Sequence, residues 1–408
     1  RGLGPKTARL LYDRLGVDSV DKLEALARSG EILKVPGIRE KSRENILRGI
    51  ATWRAGQRRM PIGKALDVAR SLVEALRAHD VATQIEVAGS IRRVRETVGD
   101  IDVLVTSPDP ARVTEAFVSL PSVLEILVHG DTKASVRHQE GIQVDLRVVE
   151  PDAFGAALQY FTGSKDHNVR VRELASRKGL KVSEYGVFKE KSGRRIAGAT
   201  EAEVYRAVGL PWIPPELREG SGEIEAALGG SLPELIALED MRGDLHAHND
   251  WSDGHHPLPK LIEAAEARGY EYIIVSDHSK SSTVAGGLVA DELREQLKKI
   301  RELQKKHRIR ILAGSECDIL ADGRMDFPNE LLKELDIVLA AVHSRFKQTR
   351  AQMTARIVRA LENPYVNILV HPTGRLIGER DPYDVDLERV FATARKHGKA
   401  VEINSSPQ

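Results

Sequence analysis

The chain has 408 residues, material for roughly two to four domains, and its 41% hydrophobic and 30% charged content excludes a disordered or fibrous polymer. A single cysteine, Cys317, excludes an internal disulfide framework, no apolar run approaches the ~20 residues of a membrane helix, and the first residues do not read as a signal peptide. The net charge of +1 hides an asymmetry: residues 1–60 hold 14 Lys/Arg against 7 Asp/Glu, so a basic section precedes an acidic remainder, as expected of a polyanion-binding end ahead of metal-binding carboxylates.

Residues 1–50 read as short helical segments punctuated by glycine. Gly2-Leu3-Gly4-Pro5-Lys6-Thr7-Ala8 and Val35-Pro36-Gly37-Ile38-Arg39-Glu40-Lys41-Ser42 each place a glycine-bearing turn before a helix, over 8–15 and 43–50. Such turns leave N–H groups unpaired at a helix N-terminus, where a phosphate accepts them; a helix-hairpin-helix element holds a nucleic-acid backbone this way without reading its sequence. One copy alone reads as an ordinary cap. Two in a basic section point to backbone contact through Gly2, Gly4, Lys6, Thr7, Gly37 and Lys41, with the second turn altered by Arg39 where the hairpin favours glycine.

The stretch 54–59 reads as a basic connector. A helix over 65–77 then leads to strands 85–87 and 101–105, a helix near 111–118, and strands 124–129, 135–138 and 143–149, which is a mixed α/β sheet. Residues 154–178 read as mostly helical, 183–188 with 195–196 as a small hairpin, and 216–241 as a linker. From Gly243 the strands 272–276, 309–313, 336–342, 367–370 and 400–404 alternate with helices, predicting parallel strands and a barrel.

Side chains alternate along a strand, so in Gly99-Asp100-Ile101-Asp102-Val103 the carboxylates share one face and Ile101, Val103 and Val105 the other. Val144-Asp145-Leu146-Arg147 repeats the pattern with Asp145 and Arg147 on the polar face. Carboxylates converging from adjacent strands make a hard-oxygen site suited to Mg²⁺, and such ions activate an attacking hydroxyl and neutralise a leaving pyrophosphate. Gly89-Ser90 offers a phosphate a close backbone approach and a hydroxyl, and Arg93 a fixed fork of donors. Asp-x-Asp alone is common on solvated strand edges; Gly89-Ser90 upstream and Asp145 downstream set this one apart.

At these residues the chain resembles the nucleotidyltransferase palm of family X DNA polymerases: Gly89-Ser90-x-Arg92-Arg93, Gly99-Asp100-x-Asp102 and Asp145-x-Arg147, followed by Tyr160-Phe161-Thr162-Gly163-Ser164 and Asn168. The resemblance implies that Asp100 and Asp102 bridge both palm metals, Mg²⁺ or Mn²⁺, and that Asp145 completes the catalytic site and helps deprotonate the primer 3′-hydroxyl. It implies that Gly89, Ser90, Arg93 and Gly99 hold the triphosphate, that Tyr160-Phe161 with Gly163 crowds the sugar 2′ position, and that Asn168 reaches the base edge. Lys165 is given no role.

Nine of the 13 histidines follow residue 240. His246-Ala247-His248 puts two imidazoles on one strand face, as Zn²⁺, Mn²⁺ or Fe²⁺ sites use them. His278, Glu316, His343 and His371 end or follow successive predicted strands, and in a parallel barrel these ends share one rim. A lone buried histidine is usually a hydrogen-bonded core residue, but this succession is not that pattern; His255, His256, His307 and His397 fit no strand end and read as surface residues. The section over 242–408 resembles a PHP (polymerase and histidinol phosphatase) domain. That resemblance implies a distorted (β/α) barrel, a Mn²⁺, Zn²⁺ or Fe²⁺ cluster on His246, His248, Asp253, His278, Glu316, His343 and His371, and phosphoester hydrolysis such as 3′→5′ exonuclease or other 3′-end processing.

Palm followed by PHP barrel is similar to bacterial and archaeal PolX-type repair polymerases. That family usually begins with a further small helical domain and supplies a late Asp-x-His pair to the cluster; here the sequence opens inside a hairpin and nothing after Asn404 provides that pair, so either those segments lie outside the chain or the nuclease site is incomplete. The expectation is therefore a multidomain α/β protein: helix-hairpin-helix fingers over 1–59, a nucleotidyltransferase palm over 60–150, a helical thumb over 151–215, a linker over 216–241 and a PHP domain over 242–408. It would be a DNA-directed DNA polymerase for gap filling in repair, with gapped or primed DNA and dNTPs as partners, no membrane, and a cytoplasmic, monomeric state. A template-independent nucleotidyltransferase fused to a PHP phosphatase is the alternative, against which the paired hairpins and Tyr160-Phe161-Thr162-Gly163 speak. A non-enzymatic DNA-binding scaffold is the third reading, against which the carboxylates and barrel ligands speak.

Overall fold

The computed structural model describes residues 5–57 and 59–406, which form two compact units, one reaching Pro233 and the other spanning Glu234–Ser406. No described helix is long and apolar enough to cross a membrane.

The first unit opens with α1 (Pro5–Leu15), α2 (Val20–Ser29) and α3 (Glu40–Gln57), packed around Leu11, Leu23, Ala27, Ile32, Ile38 and Ile46. Before α3 the chain turns through Val35–Ile38, closed by the Ile38 N–H on the Val35 carbonyl at 3.1 Å, with Gly37 at φ +86, a conformation that glycine adopts without a Cβ clash. With no proline between Arg39 and Met60 to stop it, α3 outruns the predicted 43–50 and absorbs most of the predicted basic connector.

Beyond it, α4 (Ile62–Ala78) buries Ala65, Val68, Ala69, Leu72 and Leu76, the spacing of one helical face. Five strands follow: β1 (Gln84–Val87), β2 (Asp100–Thr106), β3 (Val123–His129), β4 (Lys133–His138) and β5 (Gln143–Val148), in the order β1-β2-β5-β4-β3. Only β2 and β5 are parallel. The one-turn α5 (Gly89–Arg92) joins β1 towards β2, and α6 (Pro110–Val118) joins β2 to β3. The face carrying Ile101, Val103, Val105, Val144 and Leu146 shares one core with α4 and α6, leaving the aspartates on the opposite face.

The rest of the unit holds α7 (Phe154–Thr162), α8 (Lys165–Arg177), a three-stranded antiparallel sheet of β6 (Leu180–Ser183), β7 (Gly186–Lys189) and β8 (Arg195–Ala197), then α9 (Glu201–Val208) and α10 (Glu223–Leu228). The predicted linker differs here: Ile224 and Ala227 lie in the core with Val204 and Tyr205, and Arg218 is fully buried. The guanidinium of Arg218 donates to Glu201 at 2.6 Å, and this buried ion pair draws the stretch after residue 215 inward.

In the second unit six parallel strands run in chain order: β9 (Gly243–Ala247), β10 (Tyr272–Val275), β11 (Arg310–Asp318), β12 (Ile337–Ala341), β13 (Ile368–Leu369) and β14 (Ala400–Val401). Among the described residues no ladder joins β9 to β14, so the sheet is a curled half-barrel and not a closed one. Strand β11 changes partner in mid-course, pairing with β10 over Arg310–Ala313 and with β12 over Gly314–Asp318. A Cβ on Gly314 would lie 2.9 Å from both Ile274 and the Ile337 carbonyl. Glu316, expected just past this strand, is therefore inside it: the glycine that reads as a breaker is where the strand moves from one neighbour to the next.

Candidate functional site

Asp102 on β2 stands in register with Asp145 on β5. Burial, then the charges of Asp100 and Asp145, push the Asp102 carboxyl up to about 7, against the opposing pull of Arg147 and Arg93. Burial and then Asp145 raise Asp100 as well, with Arg59 opposing. Asp145 itself is fixed on both oxygens: the Ser135 hydroxyl donates to Oδ1 and Gln143 Nε2 to Oδ2, the latter at 2.8 Å. Carboxylates that destabilise one another's charged form in this way fit a divalent cation bound between them.

The backbone at Gly89 is shaped to this cluster. Its φ is +68, and a Cβ there would sit 2.6 Å from Asp102 Oδ2. Next to it, the Ala88 N–H donates to the Asp102 carbonyl at 2.8 Å. A cleft of about 700 Å³ opens here, with Gly89, Ser90, Arg93, Gly99, Asp100, Asp102, Tyr160, Phe161, Gly163 and Asn168 on its wall. Of the palm and nucleotide residues expected from sequence, only Asp145 is off that wall.

Arg93 is anchored at Nε by Glu219 Oε1 at 2.8 Å and at Nη1 by the Thr162 carbonyl. Its neighbour Arg92 forms a two-pronged pair with Glu201, both bonds 2.8 Å. Burial alone would raise the Glu201 carboxyl, but the hydrogen bonds from Arg92 and Arg218 outweigh it and bring it down to about 2. The Asn168 amide faces inward, donating to the Tyr160 carbonyl and accepting from Gln159, each at 2.7 Å. Phe161 lies beneath the Arg147 guanidinium, 4.7 Å from its ring centre.

The cleft wall also holds Arg59, Arg95, Lys165 and Arg172, none of which belongs to the sequence motifs of the site. One signal was there: Lys165, Asn168 and Arg172 share a helical face at i, i+3 and i+7. Arg59, one residue before Met60, bonds Thr97 Oγ1 at 2.7 Å, and no periodicity marks it. Of the expected backbone-gripping residues, Gly2 and Gly4 lie outside the described residues, as does the Lys6 side chain; Thr7 is half-buried, Gly37 forms the turn before α3 and Lys41 is exposed in its first turn.

In the second unit the histidines converge on one carboxylate. Glu316, 2% exposed, has His246 Nε2 and His248 Nε2 at 3.3 Å and His278 Nδ1 at 3.0 Å from Oε2, and His343 Nε2 at 3.1 Å and His371 Nε2 at 2.6 Å from Oε1. Asp253 bridges His248 Nδ1 at 2.7 Å and His278 Nε2 at 3.3 Å. Three ligand sets emerge, His246/His248/Glu316, His248/Asp253/His278 and His278/Glu316/His343, each with its donor atoms within 4.8 Å of one another. His278 Nδ1 is buried without a hydrogen-bond partner, its contact to Glu316 being misaligned, and such an orphaned nitrogen suits a cation. The imidazole, carboxylate and shared-ligand chemistry fits a multinuclear transition-metal site.

At His246, His343 and Glu316 burial opposes charge, but hydrogen bonds outweigh it. They raise His246 to about 10 through Glu316 and Glu402 and His343 to about 9 through Asp318 and Glu316, and they hold Glu316 well below its ordinary value. Glu402 and Asp318 went unmarked in the sequence. Glu402 Oε1 takes His246 Nδ1 at 2.8 Å and Oε2 takes the His371 N–H at 2.7 Å, where His371 has the left-handed φ of +28. Asp318 meets His343 Nδ1 at 2.6 Å, two residues beyond Glu316 on the same strand face. Both carboxylates turn the other ring nitrogen towards the cluster. Asp277 instead braces the loop leading to Asp253, accepting from the Asn249 N–H at 3.1 Å, from Ser252 and from Gln296. His307, read as a surface residue, is half-buried with Nδ1 3.0 Å from Glu266; His255, His256 and His397 are exposed.

Family descriptions match four stretches: a SAM-like helix-hairpin-helix tandem over residues 1–52, a DNA polymerase beta palm over 59–148, a DNA polymerase beta thumb over 157–219 and a PHP domain over 244–406. The chain is 40% identical over 409 residues to the DNA polymerase/3′-5′ exonuclease PolX of Bacillus subtilis, covering 100% of this chain and 71% of that protein. It is 27% identical over 246 residues to DNA polymerase lambda of Rattus norvegicus, covering 53% of this chain and 40% of the relative. A probable phosphatase of Caldanaerobacter subterraneus is 35% identical over 170 residues, 40% of this chain and 62% of that protein.

Proposed function

Because this chain belongs to the PolX-type family X DNA polymerases that carry a PHP domain, we propose that its first unit extends primer 3′ ends with dNTPs in gapped or primed DNA and that its second unit hydrolyses phosphoesters at DNA 3′ ends. The observation that carries the synthetic half is the pair Asp100 and Asp102 on the wall of a cleft ringed by cations, both carboxyls raised by burial and by the charge of Asp145 in register behind them. These three would hold Mg²⁺ or Mn²⁺, which when bound supplies Lewis-acid activation and neutralises the phosphates. Arg93, oriented by Glu219 and Thr162, presents its remaining N–H groups to the triphosphate, and Gly89 lets the backbone and Ser90 approach it. Asp145, held by Ser135 and Gln143, takes the 3′-hydroxyl proton as that oxygen attacks the α-phosphate in line and pyrophosphate leaves. The two-turn basic N-terminal section grips the DNA backbone through Lys6, Thr7, Gly37 and Lys41, with Gly2 and Gly4.

In the second unit His246, His248, Asp253, His278, Glu316, His343 and His371 would hold Mn²⁺, Zn²⁺ or Fe²⁺, which when bound supplies an activated water for attack on phosphorus. Glu402 and Asp318 set the ring orientations that make this possible. Gap filling in repair, by a monomer in the cytoplasm, is the setting this reading gives the protein.

Asp102→Ala is expected to abolish templated primer extension, a loss of at least about a thousandfold, while Mn²⁺-dependent digestion of a 3′ end persists. The double change His246→Ala and His248→Ala is expected to do the reverse. Extension at the wild-type rate in the first variant, or unchanged digestion in the second, overturns the corresponding half. Comparing addition opposite a templating base with addition to a single strand separates this reading from template-independent transfer.

A further inference from the structure

Two cations beside the histidine cluster have no part in holding it. Lys280 follows His278 and Arg345 follows His343, each by two residues, in the matching runs His278-Ser279-Lys280 and His343-Ser344-Arg345. The two histidine rings lie 5.0 Å apart, so both runs leave the half-barrel at neighbouring points of its rim. Both cations are exposed, and neither side chain has an ion-pair or hydrogen-bond partner among the described residues.

Their backbones, by contrast, are pinned. Ser279 Oγ accepts the Asp318 N–H at 2.9 Å, and Ser281 donates to Asp326 from its N–H at 2.8 Å and its hydroxyl at 2.7 Å. The Ser344 carbonyl accepts from the buried Arg356 at 2.8 Å, and Phe346 sits against the Arg380 guanidinium, 4.0 Å from its ring centre, and the Tyr383 ring at 6.2 Å. Arg345 between them has φ +57, a left-handed backbone that is strained for a non-glycine residue. Glycine would make the same turn without that strain, so what the position gains from arginine is its side chain.

A small phosphomonoester presents its charge to the metals alone. A nucleic-acid strand brings further phosphates on either side of the scissile one, and these need cations beside the metals. We propose that Lys280 and Arg345 are a backbone-phosphate clamp flanking the cluster, so that the second unit takes an anionic nucleic-acid strand in preference to a small phosphomonoester. This rests on the hydrolase reading of that unit.

The test uses the full chain loaded with Mn²⁺, a 5′-labelled single-stranded thymidine oligonucleotide and p-nitrophenyl phosphate. Lys280→Ala and Arg345→Gly are each expected to lower the ratio of oligonucleotide to p-nitrophenyl phosphate kcat/KM about fivefold. Each is expected to flatten the salt dependence of oligonucleotide turnover by about 0.7 in log–log slope. Arg345→Gly relieves the left-handed backbone and is expected to melt no lower than the wild type, which separates lost charge from lost fold. Equal slowing on both substrates, or no change on either, overturns the clamp. A second readout is independent of turnover: excess oligonucleotide, but not p-nitrophenyl phosphate, is expected to protect Lys280 from amine acylation read by mass spectrometry. If the wild type hydrolyses neither substrate, the hydrolase reading fails and the labelling decides alone, protection supporting the clamp and its absence overturning it.

Discussion

A methyl group at position 89 would have nowhere to go. The glycine is at φ +68 and its missing Cβ would lie 2.6 Å from Asp102 Oδ2, so Gly89→Ala combines a backbone penalty of about 1 kcal/mol with displacement of the most strongly perturbed carboxylate of the cleft. The expected outcome is loss of primer extension by at least about tenfold with only a modest fall in the melting point of the first unit. A variant that melts normally and extends normally would falsify the close approach as a working part of the site. The same scale explains how Asp145 came to light from sequence while its supports did not. Period two sets Asp145 on a polar face, but Ser135 reaches it only through the antiparallel pairing of β4 with β5.

At the scale of elements, the ion pairs of Glu201 hold α9 to the segment after residue 215 and to α5. Glu201 accepts from Arg92 and from Arg218, whose side chain is fully buried. Its carboxyl is about 2 in the fold against 4.5 when unperturbed. A depressed carboxylate contributes stability that is complete above pH 4.5 and is lost as pH falls from there towards 2. Glu201→Gln is therefore expected to destabilise the first unit by ~3–5 kcal/mol at neutral pH, because it strands a buried guanidinium, and to flatten the acid limb below pH 4.5. Urea midpoints measured across pH check both; parallel acid limbs in the two proteins would exclude Glu201 as their source. This ion pair also shows where the sequence was legible and where it was not. Alternation located the strands bearing Asp100, Asp102 and Asp145, and strand ends located the histidines, because those patterns are local. Residues 216–228 read as linker because glycine, serine and glutamate dominate locally, whereas the partner that folds them, Glu201, is 17 residues away from Arg218. Glu316 lies inside its strand and not beyond it because β12 takes over from β10 as partner at Gly314, a non-local pairing that no local pattern marks.

At the scale of the whole molecule, synthesis and hydrolysis are proposed for separate compact units with separate metal chemistry. Mn²⁺, as proposed for the histidine cluster, would add ~2.7 kcal/mol at a hundredfold excess over Kd. Calorimetry is expected to show chelation lowering the unfolding transition of the second unit, an effect absent from the His246→Ala and His248→Ala protein. An equal shift in that variant would place the stabilising ion elsewhere. The cluster has one more property that follows from how its strands are strung along the chain. His246 on the first strand is steadied by Glu402 just past the last, 156 residues later, and His371 leans on the same carboxylate. A growing polypeptide therefore completes the aspartate cleft well before it can assemble the degradative centre, and no truncated product that stops short of Glu402 carries a fully braced one. In biosynthesis, the capacity to build a strand precedes the capacity to trim it.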